Sequence, residues 1–354
     1  SKDAVVEENL IEHTIVEREI MLSMGHHPFI VNLNYAFQTD TDLYFVLEYV
    51  GGGSLMQLLQ QCPELKEKEV KFYAAEILLG LEALHTSNII YRDLKLENVL
   101  ISAEGHAVLT DFGLSAKLKS EQHTVRSFSG TAIYLAPEIL LDQEGKGHGK
   151  SVDWWGFGVL LHILFTGAPP FWSENHKELY DLIMAGDLLV HEDPFLTESA
   201  KALLIALLER DVTKRLGCGP TGAEEVKKHP FFNGVDWDAV YRKEYKVPHI
   251  PEYDIAEEAK KKYNDEGELI VGKKKKDDRR FRGFSFVGDQ TNTPLKQIQK
   301  EIAEAKKSGS PLKASSTCDV NVTPTTDGPT RAPKAKLTKM ISIGSNRLKG
   351  SKKK

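Results

Sequence analysis

The sequence contains little cysteine and no long apolar run, and each absence excludes a class of protein. The three cysteines, Cys62, Cys218 and Cys318, are far apart, and the chain has no CxxC pair or His/Cys cluster. A disulfide-stabilised fold and a structural zinc site are therefore disfavoured, and a reducing compartment is predicted. The most apolar stretch, residues 156–165, contains His162 and is too short to cross a bilayer, so we expect no membrane insertion.

The net charge of −5 hides opposite charges in two parts of the chain. Residues 1–286 contain 32 Lys and Arg against 46 Asp and Glu, whereas residues 287–354 contain 14 against 5. This asymmetry predicts an acidic folded body followed by a basic tail. Because an acidic surface repels the phosphate backbone, we do not expect the folded part to bind nucleic acid directly.

Hydrophobic periodicity predicts a small part with strands, followed by a larger helical part. Helices are predicted over residues 5–24, 70–84 and 152–165, and strands over 29–33, 43–47, 99–101 and 107–109. The Gly51-Gly52-Gly53 run places a hinge at about 47–53. Residues 233–286 are expected to cross the surface as an extended segment, and residues 288–354 to be disordered apart from a short helix at 295–307.

Three motifs in a fixed order carry the chemistry: Tyr91-Arg92-Asp93-Leu94-Lys95-Leu96-Glu97-Asn98, then Asp111-Phe112-Gly113, then Ala136-Pro137-Glu138. Phosphoryl transfer needs charge neutralisation and in-line placement more than covalent chemistry. Asp93 is predicted to accept the proton of an acceptor hydroxyl, and Lys95 to contact the transferred phosphate. Asn98 and Asp111 supply hard oxygen ligands that suit magnesium. Each motif alone occurs by chance, but the ordered set is the protein-kinase signature.

Two further features agree with nucleotide binding. Glu17 lies on the first predicted helix, where a kinase needs an acid to hold an ATP-positioning lysine; the alternative is a solvated helix residue. Leu47, Glu48 and Val50 fall at the hinge, where backbone groups would bind adenine. Glu97 lies beside Asn98 and is grouped with these cofactor-binding residues.

Other residues are predicted to hold the site together. Asp153 opens the buried helix and is expected either to cap it or to tether the catalytic loop. Glu138 and Arg215 are expected to form a buried bidentate pair. Four residues are predicted either to stack as a column between the two parts or to belong to an ordinary core: Met21, Leu33, Tyr91 and Phe112.

The sequence closely resembles the AGC group of serine/threonine protein kinases over about residues 4–287. Three segments look most like the amino-terminal kinase domain of the mitogen- and stress-activated kinases, with ribosomal-kinase relatives next: Ile11-Glu12-His13-Thr14, Asp111-Phe112-Gly113-Leu114-Ser115 and Arg215-Leu216-Gly217-Cys218-Gly219. The resemblance implies an α+β bilobal protein-kinase fold over residues 1–232 and a carboxy-terminal extension over 233–287. It also implies ATP and Mg²⁺ as cofactors, protein substrates, and upstream activating kinases.

Two phosphorylation sites follow from this resemblance. The Phe281-Arg282-Gly283-Phe284-Ser285-Phe286 segment is similar to the family's hydrophobic motif, in which aromatic residues dock beside the first helix and the serine, here Ser285, is phosphorylated. The alternative is a stray packing anchor. Ser127 matches the activation-loop phosphosite, where a phosphate would bind Arg92 and His13.

The sequence also departs from the family pattern. The glycine-rich loop and the strand lysine are absent, so we expect a small lobe truncated at its N-terminus that binds ATP poorly. Ser54 and Ile163 stand where substrate-reading glutamates are common, although Glu97 is retained; a weakened preference for basic peptides is expected. No Ser or Thr occurs between Gly234 and Phe284, so the family's turn-motif phosphosite has no candidate there.

The sequence therefore predicts a serine/threonine protein kinase that uses Mg-ATP and acts in a signalling cascade. The alternative is a catalytically silent kinase-fold scaffold or inactive fragment. A small-molecule kinase is disfavoured by the Ala-Pro-Glu segment and the hydrophobic motif. The Lys-rich runs at 273–276 and 352–354 permit nuclear import, so a cytoplasmic or nuclear location, or both, is predicted.

Overall fold

The computed structural model describes residues 1–8, 10–39, 41–118, 124–125, 130–141, 147–188, 190, 196–251, 281 and 284–287. Ser127, the predicted helix at 295–307 and the predicted basic tail lie outside the described residues. Within these ranges, no helix is long and apolar enough to cross a membrane.

The smaller part combines two helices with one antiparallel sheet. Its elements are α1 (Lys2–Glu7), α2 (Ile11–Met24), β1 (Leu33–Gln38), β2 (Leu43–Leu47) and β7 (Phe286–Val287). The sheet order is β2-β1-β7, with Phe37 opposite Tyr44 and Ala36 opposite Phe286. The sheet therefore brings the far C-terminal strand β7 onto the first strand of the chain.

The prediction of one helix over residues 5–24 is wrong, because the chain breaks between α1 and α2. The N–H of Glu8 bonds back to the carbonyl of Ala4 and ends α1, and α2 begins afresh at Ile11. The Ser1 side chain caps α1. No proline or glycine marks this break, so helical periodicity alone could not locate it.

The prediction of a strand over residues 29–33 is also wrong in its bounds. The strand β1 begins at Leu33, and Phe29 and Val31 instead exchange backbone hydrogen bonds of 2.9 Å with Leu109 in the larger part. Ile30 forms a parallel bridge with the same residue. This extended apolar segment therefore joins the two parts of the molecule.

The larger part is mainly helical, with two short two-stranded sheets. Its helices are α3 (Leu55–Gln61), α4 (Glu67–Thr86), α5 (Pro137–Leu140), α6 (Ser151–Thr166), α7 (His176–Ala185), α8 (Glu198–Leu207), α9 (Ala223–Lys227) and α10 (Trp237–Tyr241). Its strands are β3 (Ile89–Ile90) with β6 (Ala116–Lys117), and β4 (Val99–Ile101) with β5 (Ala107–Leu109). The predicted strands at 99–101 and 107–109 and the predicted helices at 70–84 and 152–165 are confirmed, the helices with longer bounds.

Helix α6 forms the centre of the larger part because it is apolar on all sides. Its residues are buried almost throughout, including Trp154, Trp155 and Phe157. Gly158 permits close packing, since a Cβ there would lie 3.0 Å from side-chain atoms of Leu207 and Leu208. An all-round apolar helix has no solvent face, and burial on every side follows.

The segment after α10 runs along the larger part toward the hinge. His249 lies 4.0 Å from the thiol of Cys62, and a Cβ on Gly52 would lie 2.5 Å from Pro251. The expectation of a purely extended segment over 233–286 is wrong at α10, whose Val240 is buried against the body. The apolar side chain at position 240 stabilises a short helix that charge content alone did not indicate.

Candidate active site

Asp93 is a buried carboxylate held by two neighbouring side chains. Its Oδ2 atom accepts hydrogen bonds from Lys95 Nζ at 2.6 Å and from Asn98 Nδ2 at 2.8 Å. Asn98 Nδ2 also donates to the backbone carbonyl of Asp93 at 2.9 Å, which fixes the loop between them. Burial raises the pKa of Asp93 above its usual value, although the Lys95 and Asn98 hydrogen bonds act in the opposite direction.

Asp153 holds the loop that carries Asp93 from the interior of the larger part. Its carboxylate accepts hydrogen bonds from the N–H of Tyr91 at 2.9 Å and of Arg92 at 2.7 Å, and lies 2.7 Å from His85 Nε2. Arg92 has a φ of 65°, a left-handed conformation that costs energy for a side chain with a Cβ. Of the two roles predicted for Asp153, the structure therefore shows the tether.

Asn98 and Asp111 come together because β4 and β5 pair. Asn98 precedes β4 and Asp111 follows β5 by two residues, and the N–H of Thr110 donates to the Asn98 carbonyl at 3.0 Å. Asp111 has a φ of 59°, and its Oδ1 accepts a bond of 3.2 Å from the N–H of Gly113. The charge of Asp111 adds to the upward pKa shift of Asp93, whose first cause is burial, so the two carboxylates lie close enough to repel each other.

Glu17 on α2 faces the Asp111 loop. A Cβ on Gly113 would lie 3.2 Å from Asp111 Oδ1 and 3.9 Å from Glu17 Oε2. Burial, with a further contribution from the charge of Asp111, raises the pKa of Glu17 to about 7. Among the described residues, no lysine or arginine lies within ion-pair distance of Glu17.

The donor set fits magnesium bound to a nucleotide triphosphate. Asn98 and Asp111 offer an amide and a carboxylate, and the Asp111 carboxylate accepts one hydrogen bond from the described residues. Mg²⁺ is usually held by one or two protein oxygens, with water and phosphate filling the other positions. The described residues contain no cluster of three or more His, Cys, Asp or Glu that could hold a metal.

The residues predicted to form the hinge have backbone groups both with and without hydrogen-bond partners. The N–H of Glu48 donates to the Asn32 carbonyl at 2.8 Å, so this group is occupied. The Glu48 carbonyl and the Val50 N–H take part in no hydrogen bond among the described residues. Leu47, at the end of β2, has 37% of its surface exposed.

The side chain of Glu97 lies beside Lys95, and one of its carboxylate oxygens lacks a hydrogen-bond partner among the described residues. Its Oε2 atom is buried and has no hydrogen-bond partner within the described parts of the chain. Burial raises its pKa, whereas the charge of Lys95 lowers it. The structure thus brings Glu97 next to Asp93 and Lys95.

The C-terminal aromatic segment docks on the smaller part. Phe281 and Phe284 are buried; Phe284 contacts Phe45 at 5.3 Å between ring centroids, and Arg18 lies 5.7 Å above its ring. Ser285 lies next to them and is exposed. Both predicted phosphorylation sites stay predictions, and Ser127 lies outside the described residues.

Sequence reasoning missed one residue of the site. The hydroxyl of Thr131 donates to Asp93 Oδ1 at 3.5 Å, a long hydrogen bond that reaches the oxygen not used by Lys95 and Asn98. The signal available was the position of Thr131 five residues before the Ala-Pro-Glu segment, which brings that stretch toward the catalytic loop.

A buried aspartate in a tethered loop, beside an Asn/Asp pair, is the arrangement that the three ordered motifs predicted for a protein-kinase domain. The profile of the protein kinase domain matches residues 1–232, and the chain belongs to this family. The predicted α+β protein-kinase fold is thereby confirmed.

Three relatives show where in the family the chain lies. It is 42% identical over 300 residues to the RAC family serine/threonine-protein kinase homolog of Dictyostelium discoideum, covering 82% of this chain and 65% of that protein. It is 46% identical over 238 residues to the ribosomal protein S6 kinase 2 alpha of Gallus gallus (67% and 31%) and 45% identical over 290 residues to the ribosomal protein S6 kinase alpha-4 of Mus musculus (78% and 37%). The chain thus spans less than two thirds of each relative, and the predicted AGC resemblance is confirmed.

Proposed function

We propose that the chain is the catalytic part of a serine/threonine protein kinase that transfers the γ-phosphate of Mg-ATP to protein hydroxyl groups. The observation that carries this proposal is the buried Asp93 carboxylate, held by Lys95 and Asn98 beside Asp111. The relatives' names, a serine/threonine-protein kinase and a ribosomal protein S6 kinase, support the same class of reaction, and a role in a signalling cascade is part of the proposal.

Each residue has a separate role in the proposed reaction. Asp93 orients the acceptor hydroxyl and takes its proton as the hydroxyl oxygen attacks the γ-phosphorus, while the bond from that phosphorus to the β–γ bridging oxygen breaks and ADP leaves. Lys95 places a positive charge beside this carboxylate, where the phosphate oxygens gain charge. Asn98 and Asp111 would hold the magnesium ion, which supplies charge neutralisation when bound.

The remaining predicted residues bind or regulate. The backbone of Leu47, Glu48 and Val50 would bind adenine, and Glu17 would hold a phosphate-anchoring lysine. Phosphorylation of Ser127 and Ser285 by upstream kinases would order the active form. Protein substrates with basic residues near the acceptor, and a cytoplasmic or nuclear location, belong to the same proposal.

The decisive experiment measures phosphate transfer from radiolabelled ATP to a library of Ser- and Thr-containing peptides. Replacement of Asp93 by Asn is expected to lower the rate by about 10²–10⁴-fold, because it removes the proton acceptor and keeps the side-chain shape. Lys177→Glu, an exposed change on α7, serves as a control with unchanged rate. Transfer that persists at the wild-type rate in Asp93→Asn would contradict the proposal.

A catalytically silent scaffold is the second candidate, and one observation favours it. Within the described ranges no salt bridge to Glu17 is found, and burial raises its pKa to about 7. The two candidates differ in Mg-ATP binding, which stabilises the folded state by mass action. A rise in melting temperature with Mg-ATP that is lost in Asp111→Ala supports the enzyme, and no rise at millimolar nucleotide supports the scaffold.

A further inference from the structure

A groove of about 540 Å³ lies between helix α4 and the segment 233–248, away from the catalytic loop. We call it the α4 groove. Its lining includes Phe72, Val240 and Val247, which we call the floor, and Lys68, Lys71 and Lys246, which we call the rim. None of the residues assigned above to catalysis, magnesium or adenine lines it.

The three rim lysines give the groove a local positive charge. None of them forms an ion pair within the part of the chain that the structure describes; Lys71 lies 5.0 Å above the ring of Phe231. The acid that lines the groove, Glu69, is already engaged, because its Oε2 accepts a 2.8 Å hydrogen bond from the N–H of Lys66 at the start of α4. The groove lining therefore carries three ammonium groups and one carboxylate, and three minus one leaves a local net charge of +2.

The groove is held in shape by buried residues on both sides. On α4, Val70 and Tyr73 are fully buried in the body, and Val240 anchors α10 from the other side. A preformed concave site with an apolar floor and a few charged groups at its edge is typical of ligand and peptide sites. Apolar floor and basic rim together select a ligand with both apolar and acidic groups.

We propose that the α4 groove binds an acidic linear peptide segment of a partner protein, with apolar side chains on the floor and carboxylates on the lysine rim. Charge complementarity identifies the partner's chemistry, since lysine ammonium groups steer and orient acidic segments. This binding goes beyond the proposed phosphoryl transfer and does not depend on it.

The charge of the rest of the chain disfavours polyanions as the ligand. Residues 1–286 carry 32 basic against 46 acidic residues, and this surplus repels nucleic acid or an anionic membrane, which would approach over a wide surface. A short peptide inside the groove lies within about one Debye length, about 8 Å, of the rim lysines, so their local charge dominates. An apolar floor also gains nothing from a phosphate backbone.

The test uses the full chain in an Asp93→Asn background and a fluorescein-labelled peptide that alternates Asp and Glu with Leu and Phe. Fluorescence anisotropy measures its affinity, and a peptide with each acid replaced by Lys is the ligand control. The double variant Lys68→Glu/Lys246→Glu, both exposed positions, is expected to raise Kd at least tenfold. The matched double variant Lys177→Glu/Lys214→Glu, outside the groove, is expected to leave Kd within twofold.

Binding that is unchanged by Lys68→Glu/Lys246→Glu, equal binding of the Lys peptide, or no binding up to 1 mM would overturn the proposal. A single-stranded oligonucleotide or an anionic vesicle that binds more tightly than the peptide, and loses binding in the same variant, would also overturn it in favour of a polyanion site. Because Asp93→Asn removes the proposed catalytic base, the outcome is independent of whether the chain transfers phosphate.

Discussion

The carboxylate of Asp153 accepts a 2.7 Å hydrogen bond from the backbone N–H of Arg92, although the two residues are 61 positions apart. The bond joins the most buried helix of the larger part to the loop that carries Asp93. It also holds Arg92 in its left-handed conformation. The conformation of the loop that carries Asp93 therefore depends on an acid from a distant helix and not on the loop residues alone.

Replacing Asp153 with Ala is expected to destabilise the protein strongly. The change leaves the N–H groups of Tyr91 and Arg92 buried without their acceptor, and each such group costs about 1–3 kcal/mol. We expect a loss of about 3 kcal/mol or more in urea unfolding. Asp153→Asn keeps one acceptor oxygen and should lose clearly less; equal losses in the two variants would contradict this account.

The ion pair between Arg215 and Glu138 predicts a second large effect. Its two hydrogen bonds measure 2.7 Å and 2.9 Å, and the Arg215 side chain is fully buried. Arg215→Ala removes one partner of a buried pair and should cost about 3–5 kcal/mol in the free energy of unfolding. Arg215→Lys keeps the charge but not the paired geometry, so an intermediate loss is expected. A loss below about 1 kcal/mol for Arg215→Ala would show that Glu138 is solvated.

Docking of the C-terminal aromatic segment can be tested at Phe284. This side chain is 1% exposed, and its removal should weaken the docked segment by about 3 kcal/mol. Hydrogen exchange in residues 281–287 is then expected to quicken by about 100-fold, because local opening becomes easier. Ser285→Ala, an exposed change next to it, is the matched control and should leave exchange unchanged. Equal exchange in wild type and Phe284→Ala would show that the segment is not held by this ring.

His27 predicts a pH dependence of stability. Burial, with a further contribution from the charge of Lys243, lowers the pKa of His27 from 6.5 to about 4. Between pH 4 and 6.5 the His27 ring is therefore protonated more in the unfolded chain than in the folded protein. The free energy of unfolding falls as the pH drops through this window, and His27 has no effect on it at higher pH.

The measurement is urea unfolding of wild type and His27→Asn at pH 7 and pH 4. Because the ring is partly solvated, we expect the stability difference between the two proteins to change by about 1–2 kcal/mol, with wild type losing more in acid. Parallel pH profiles of the two proteins would rule out His27 as the cause.

The motifs of the site could be recognised in the sequence because their chemistry requires particular residues close together in the chain. Asp93, Lys95 and Asn98 lie within six positions, so the contacts among them follow from local sequence. The burial of α6 could also be predicted from local sequence, because a helix that is apolar on every side has no face suited to solvent.

The partners of distant segments were settled by the tertiary structure. The sequence showed that Phe29 and Val31 are apolar but not that their backbones bond to Leu109. Its helical periodicity also continued across residues 8–10, where the structure has a break between α1 and α2. The sequence also suggested two roles for Asp153, a helix cap and a tether for the loop, and did not distinguish between them.

The sequence by itself determined the family, the reacting groups and the buried helix, because each depends on residue type and short spacing. Tertiary structure alone decided that Glu17 faces Asp111, that Asp153 tethers Arg92, and that α4 and the 233–248 segment enclose a lysine-rimmed groove. The physical reason is that a local pattern records which face of an element is apolar, whereas the partner of that face depends on the packing of the whole chain.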